Sequence, residues 1–99
     1  TPLFMACQQG RLECVRLLLE AGAATDQADS EGRTPLYVAS LQGHDQCVRL
    51  LLEASAAVNQ AKDDATTPLY IACEKGHLEC ARLLLGASAA VNQATDVDT

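Results

Sequence analysis

The sequence predicts an all-α solenoid, in which helix pairs stack on one another and each is followed by a projecting loop. Three observations carry that expectation. The 99-residue chain repeats itself with a period of 33, so segments 1–33, 34–66 and 67–99 align without a gap. The second and third segments agree at 22 of 33 positions, and the first agrees with each of them at 18. Within each segment two short stretches carry helical apolar spacing, followed by a polar stretch with no helical period. Aromatic residues are scarce, with Phe4, Tyr37 and Tyr70 the full set. A core drawn from Leu, Ala, Val and Cys favours helices packed closely over small residues.

Each unit opens on a Thr-Pro pair: Thr1–Pro2, Thr34–Pro35 and Thr67–Pro68. The threonine hydroxyl can cap a helix, and proline at the first helical position sacrifices no hydrogen bond. The first helix of each unit is short and stops at Gly10, Gly43 or Gly76, where glycine suits a left-handed terminus. A second helix follows. In the first unit its apolar positions are Leu12, Cys14, Val15, Leu17, Leu18, Leu19 and Ala21, a stripe too wide for one face of a surface helix. Such a helix is expected to lie sandwiched between neighbouring units, with Glu13, Arg16 and Glu20 on the outer side forming weak local ion pairs. The remainder of each unit is polar and reads as a loop that projects as a hairpin. One helix pair cannot bury its own leucines. Stacked pairs can, at about 1.5–3 kcal/mol for each fully buried Leu before entropy is subtracted. Residues 1–99 are therefore read as a single domain of three repeats.

The motifs "TPLFMA", "TPLYVA" and "TPLYIA" match the T-P-L-H-x-A pattern of one repeat family at every position but one. They are followed by "GRLECVRLLLEAGA", "GHDQCVRLLLEASA" and "GHLECARLLLGASA". The chain resembles the ankyrin repeat over its whole length. The resemblance implies an ankyrin-repeat solenoid of stacked antiparallel helix pairs with hairpin loops projecting to one side, whose usual role is binding another protein through the hairpin tips and the exposed side of each first helix. Three departures stand out. The family histidine after T-P-L, which holds a turn by hydrogen bonding, is replaced by Phe4, Tyr37 and Tyr70. The glycine after the second helix survives as Gly22 but becomes Ser55 and Ser88, both expected at positive φ at a cost of about 1 kcal/mol each. Asp45 replaces the leucine of Leu12 and Leu78 and is expected to cap its helix.

Composition narrows the function. A net charge of −6 argues against a nucleic-acid partner, which requires clustered Lys and Arg. No apolar run approaches the length that crosses a membrane. The chain opens at Thr1 with neither an initiator Met nor a signal-peptide pattern, as expected of an excerpt from, or a design after, a longer array. Cys7, Cys14, Cys47, Cys73 and Cys80 follow the repeat rather than a disulfide or metal-binding pattern. They read as small buried packing residues in a reducing intracellular compartment, cytoplasmic or nuclear. His44 and His77 occupy one repeat position and lie about one helix-packing distance of 8–10 Å apart, so one metal ion does not suit both. They are expected to make turn hydrogen bonds. Nothing in the sequence calls for catalysis, a cofactor or a metal.

A protein partner is the leading expectation, engaged by a rigid concave surface. On the first helices the variable positions are Gln8, Gln9, Leu41, Gln42, Glu74 and Lys75, with Leu41 as an apolar anchor. In the loops they are Ser30, Glu31, Arg33, Asp63, Asp64 and Thr66. The loop segments 26–33, 59–66 and 92–99 hold seven acidic and two basic residues, so five of the six net negative charges lie there. Such acidity either steers a partner with a basic surface or serves turn formation and solubility. The family resemblance further implies Asn59 and Asn92 as hydroxylation sites, with Leu51 and Leu84 eight residues earlier. The alternative reading is a structural spacer with no partner of its own. The lack of polar end repeats predicts exposed apolar edges and end-to-end self-association.

Overall fold

A computed structural model describes residues 1–87. Six helices occur among them, in three pairs: α1 (Pro2–Gln9) with α2 (Leu12–Glu20), α3 (Pro35–Gln42) with α4 (Asp45–Glu53), and α5 (Pro68–Glu74) with α6 (Leu78–Gly86). The described residues contain no strand. Helices α1, α3 and α5 pack in one layer and α2, α4 and α6 in a second. Two or three residues join the helices of each pair, which makes the partners antiparallel neighbours.

The helix ends follow from local chemistry. Each first helix is capped by its threonine, whose Oγ1 accepts from the backbone N–H of Phe4, Tyr37 or Tyr70 at 3.1 Å. The first helices end where Gly10, Gly43 and Gly76 turn to φ of 71°, 76° and 74°. That turn lets the N–H groups of Arg11, His44 and His77 reach back to Ala6, Ala39 and Ala72 O, satisfying carbonyls the helix leaves open. The second helices end the same way, with Ala23 N bonded to Leu18 O and Ala56 N to Leu51 O. The residue that makes this turn is Gly22 in the first unit and Ser55 in the second, at φ 67° as the sequence predicts. Ser88 lies outside the described residues.

The core runs through both layers, from Leu3 and Cys7 through Leu36, Val38 and Leu51 to Ala72 and Leu84. Leu51 and Leu84, the central members of their leucine triplets, are fully buried, and the flanking Leu50, Leu52 and Leu83 are half-buried against the core. Leu17 departs from this pattern at 60 % exposure, as does Leu85 at 49 %. The cysteine expectation needs the same correction. Cys7, Cys47 and Cys80 are buried, whereas Cys14 and Cys73 are exposed. The cause is positional: Cys14 and Leu17 face the side on which nothing packs against the first pair, and Cys73 faces the corresponding side of the third. Burial pushes the Cys7 and Cys80 thiols up to about 12, assisted by neighbouring Cys47 and by the hydrogen bond to Asp45 respectively, so all three buried thiols remain protonated packing groups.

Candidate protein-interaction surface

Two loops project between the pairs, and they share one backbone. In the first tip Asp29 N bonds to Arg33 O at 2.9 Å and Gly32 N to Asp29 O at 3.0 Å. In the second, Lys62 N bonds to Thr66 O at 2.9 Å and Ala65 N to Lys62 O at 2.8 Å. The tips are stitched together by Asp63 N donating to Glu31 O at 3.0 Å. The close approach leaves no room at Gly32, where a Cβ would stand 2.9 Å from Asp63 N. Lower in the loop, Ala57 N donates to Asp26 Oδ1 at 2.9 Å, a second tie between units.

The turn closures fall to different residues in the two tips. In the first, Asp29 accepts from the Glu31 and Arg33 backbone N–H groups and from the Arg33 guanidinium at 2.8 Å. Burial alone would raise its pKa, but these bonds and the Arg33 charge outweigh burial and hold it below the usual value. Arg33 in turn sits 5.6 Å over the Phe4 ring, a cation–π contact that ties the tip to the first helix. In the second tip Asp64 accepts from the Thr66 hydroxyl and backbone and from Lys62 Nζ at 2.9 Å. The Thr66 and Lys62 bonds pull its carboxyl down to about 2. Three of the five acidic residues in these two loop segments, Asp26, Asp29 and Asp64, therefore hold the fold. Glu31 and Asp63 remain exposed at the tips, as does Ser30, while Thr66 is buried and Arg33 is engaged on both sides.

On the first helices, Gln9, Gln42, Glu74 and Lys75 are exposed, and Gln8 and Leu41 are half-buried. Leu41 packs its side chain against the core and offers only part of it outward. The main-chain oxygens of Gln8 and Leu41 accept across the seams from His44 Nε2 at 3.2 Å and His77 Nε2 at 3.0 Å. Turn hydrogen bonds are expected of the histidines; their rings instead bond the main chain of the preceding unit, 36 residues back. Their rings lie over Gly10 and Gly43, where a Cβ would come within 2.7 Å. Asp45 corrects another expectation. His44, not Asp45, occupies the capping position of α4, and no side chain caps that helix. The Asp45 carboxylate instead accepts from the Cys80 thiol at 2.9 Å.

Asn59 is exposed, whereas Leu51 is fully buried, so an enzyme that reads both would need the end of α4 to open. Asn92 lies outside the described residues. No group of three or more His, Cys, Asp or Glu side chains among the described residues could hold a metal ion, and no described helix is long and apolar enough to cross a membrane.

Three features lay outside the sequence reading: positive φ at Ala65, the Arg33–Phe4 stack and the histidine rings over glycine. The first was within reach, because Ala65 aligns with Gly32.

Paired helices in two layers, joined by hydrogen-bonded turns at the tips, define a helical repeat protein. Family models agree: ankyrin repeats, in a three-copy model, match residues 1–63, and a single ankyrin repeat matches residues 65–96. The chain belongs to the ankyrin repeat family, whose members generally serve protein–protein interaction. No curated protein matches it.

Proposed function

We propose that this chain is a non-catalytic module that presents its first-helix row and its tips to a protein partner. The observation that carries the reading is the pairing of one tip backbone with two sets of outward side chains. The hydrogen-bonded frame is the same at 29–33 and 62–66, while Ser30 and Glu31 stand where the next unit has Asp63 and Asp64. A stiff frame lets contacts form with little ordering cost. The surface comprises Gln9, Gln42, Glu74 and Lys75, with the outward part of Leu41 between them, and Ser30, Glu31 and Asp63 at the tips. The Asp63 carboxylate, together with Glu31, which is held only loosely by Arg33 at 3.9 Å, favours a partner with a basic surface. Three buried, unpaired thiols support a reducing compartment, cytoplasmic or nuclear. Asn59 is the accessible candidate for hydroxylation.

The test is affinity capture with the intact chain and with Glu31→Lys, Asp63→Lys and Leu41→Ala combined. A partner held by the wild type and lost by the variant supports the surface. A specific partner retained undiminished by the variant removes it.

A second reading, a spacer segment of a longer array, draws on the exposed apolar residues at both ends, Leu17 and Leu78. Those ends also support end-to-end association of copies.

A further inference from the structure

The second-helix layer carries a groove of its own, apart from the first-helix row and the tips. It runs between α2 and α4, has a volume of about 280 Å³ and is lined by Arg16, Leu19, Glu20, Leu50, Glu53 and Ala54. Both walls belong to the inner seam of the first two units, where these helices pack on each other. Leu19 and Leu50 supply its apolar part, half-buried against the core. Glu20 and Glu53 stand exposed beside them.

Electrostatics single out the end that holds the two carboxylates. Glu20 and Glu53 are the last residues of α2 and α4, and neither helix has a basic residue in its last turn. A helix C-terminus carries partial negative charge, so a carboxylate there is disfavoured and a cation is favoured. Repeat equivalents on packed helices lie about 8–10 Å apart, close enough for their fields to add. The nearest cations do not relieve them. Arg16 turns to Glu13 at 3.5 Å, and Arg49, four residues before Glu53, makes no ion pair among the described residues. Glu20 and Glu53 make none there either. In the third unit Gly86 takes the place of this glutamate, so the double carboxylate belongs to the first seam and not to the second.

We propose that this groove docks a segment of a protein partner in which an apolar side chain neighbours a Lys or Arg. The apolar side chain seats on Leu19 and Leu50, and the cation settles between Glu20 and Glu53. The arginines one turn back fix the direction, because the partner's cation is drawn to the helix C-termini and repelled from Arg16 and Arg49. The inference uses no residue of the first-helix row or of the tips, so it stands apart from the surface proposed above.

Selection of displayed short random peptides on the intact chain, with the enriched peptides then synthesised, tests this. Peptides that pair an apolar residue with Lys or Arg are expected to bind the combined Glu20→Gln, Glu53→Gln variant about tenfold more weakly than wild type. Both side chains are exposed, and circular dichroism checks that the variant is folded. Exchanging the peptide's Lys or Arg for Gln should cost the same factor on wild type and nothing further on the variant. Combined Glu31→Lys and Asp63→Lys at the tips should leave this binding unchanged. The proposal is overturned if no peptide is enriched, if none is weakened by the groove variant, or if those it weakens lack a basic residue. Equal weakening by the groove and tip variants, or a full further loss when the peptide's cation is removed on the groove variant, overturns it as well. Peptides lost on the tip variant alone support the tip surface and not the groove.

Discussion

His77 Nε2 stands 3.0 Å from the carbonyl oxygen of Leu41, and the same ring covers Gly43, the residue that ends the helix Leu41 belongs to. The oxygen can only accept, so Nε2 carries the proton and donates. One side chain therefore satisfies an open helix carbonyl and occupies the space that a Cβ at position 43 would need. Gly43 and Gly76 share a left-handed φ, 76° and 74°, but only Gly43 lies under a ring. Gly76→Ala is expected to cost about 1 kcal/mol, from backbone conformation alone. Gly43→Ala should cost about 1–2 kcal/mol more, for the displaced ring. In a His77→Ala background the Gly43→Ala penalty should fall to the Gly76→Ala level. Urea unfolding of the four variants checks this, and equal costs for the two glycines in the wild-type background would refute it.

Ser55 and Ala65 hold positive φ without being glycine, at 67° and 73°, and their counterparts Gly22 and Gly32 hold the same region at 85° and 81°. A side chain in this region is strained, and both residues are exposed, so replacement removes no packing. Ser55→Gly and Ala65→Gly are each expected to raise stability by about 1 kcal/mol, read as a higher urea midpoint at unchanged slope. A lower midpoint for either would show that unfolded-state entropy outweighs the strain.

The Ser40 hydroxyl is buried with no hydrogen-bond partner. The other two units place Cys7 and Cys73 at this position. A buried hydroxyl left unsatisfied costs about 1–3 kcal/mol, whereas a thiol is a small hydrophobe. Ser40→Cys is expected to stabilise the chain by about 1 kcal/mol in thermal or urea unfolding.

The Thr66 and Lys62 bonds give a pH signature through Asp64. Its carboxyl lies near 2 in the folded chain against an ordinary 3.8. A folded-state pKa below the unfolded one adds stability that is whole above the unfolded value and is lost as pH falls through the folded one. Asp29 acts in the same direction. Asp64→Asn should therefore melt below wild type at neutral pH, with the gap closing between pH 3.8 and about 2. Melts across that range decide it, and a gap independent of pH would mean that the loss lies in the turn's geometry.

Helix boundaries were legible because their causes are local. Thr1, Thr34 and Thr67 bond residues three positions on, and the terminal glycines act on the turn they sit in. The leucine triplets were legible in the interior for the same reason, since a period implies a neighbour. The period did not show which neighbour each face meets, and so Cys14, Cys73 and Leu17 read as buried. Seam chemistry was harder still. The Asp45 carboxylate and the Cys80 thiol are 35 residues apart and meet only once units are stacked. The loop acids were visible as a cluster. Which of them close turns depends on tip geometry: Asp29 fills that role in one loop, and Asp64, two places later in the repeat, fills it in the next.

The backward reach of each imidazole makes the units interchangeable. Excising residues 34–66 would carry His77 to the place His44 holds now, facing the Gln8 oxygen and the bare Cα of Gly10. Cys80 would take over the buried site of Cys47 and give up its link to Asp45. Array length is thus editable in whole steps of 33, because the joint is written alike into both later units, His44 and His77 each reaching back to its predecessor.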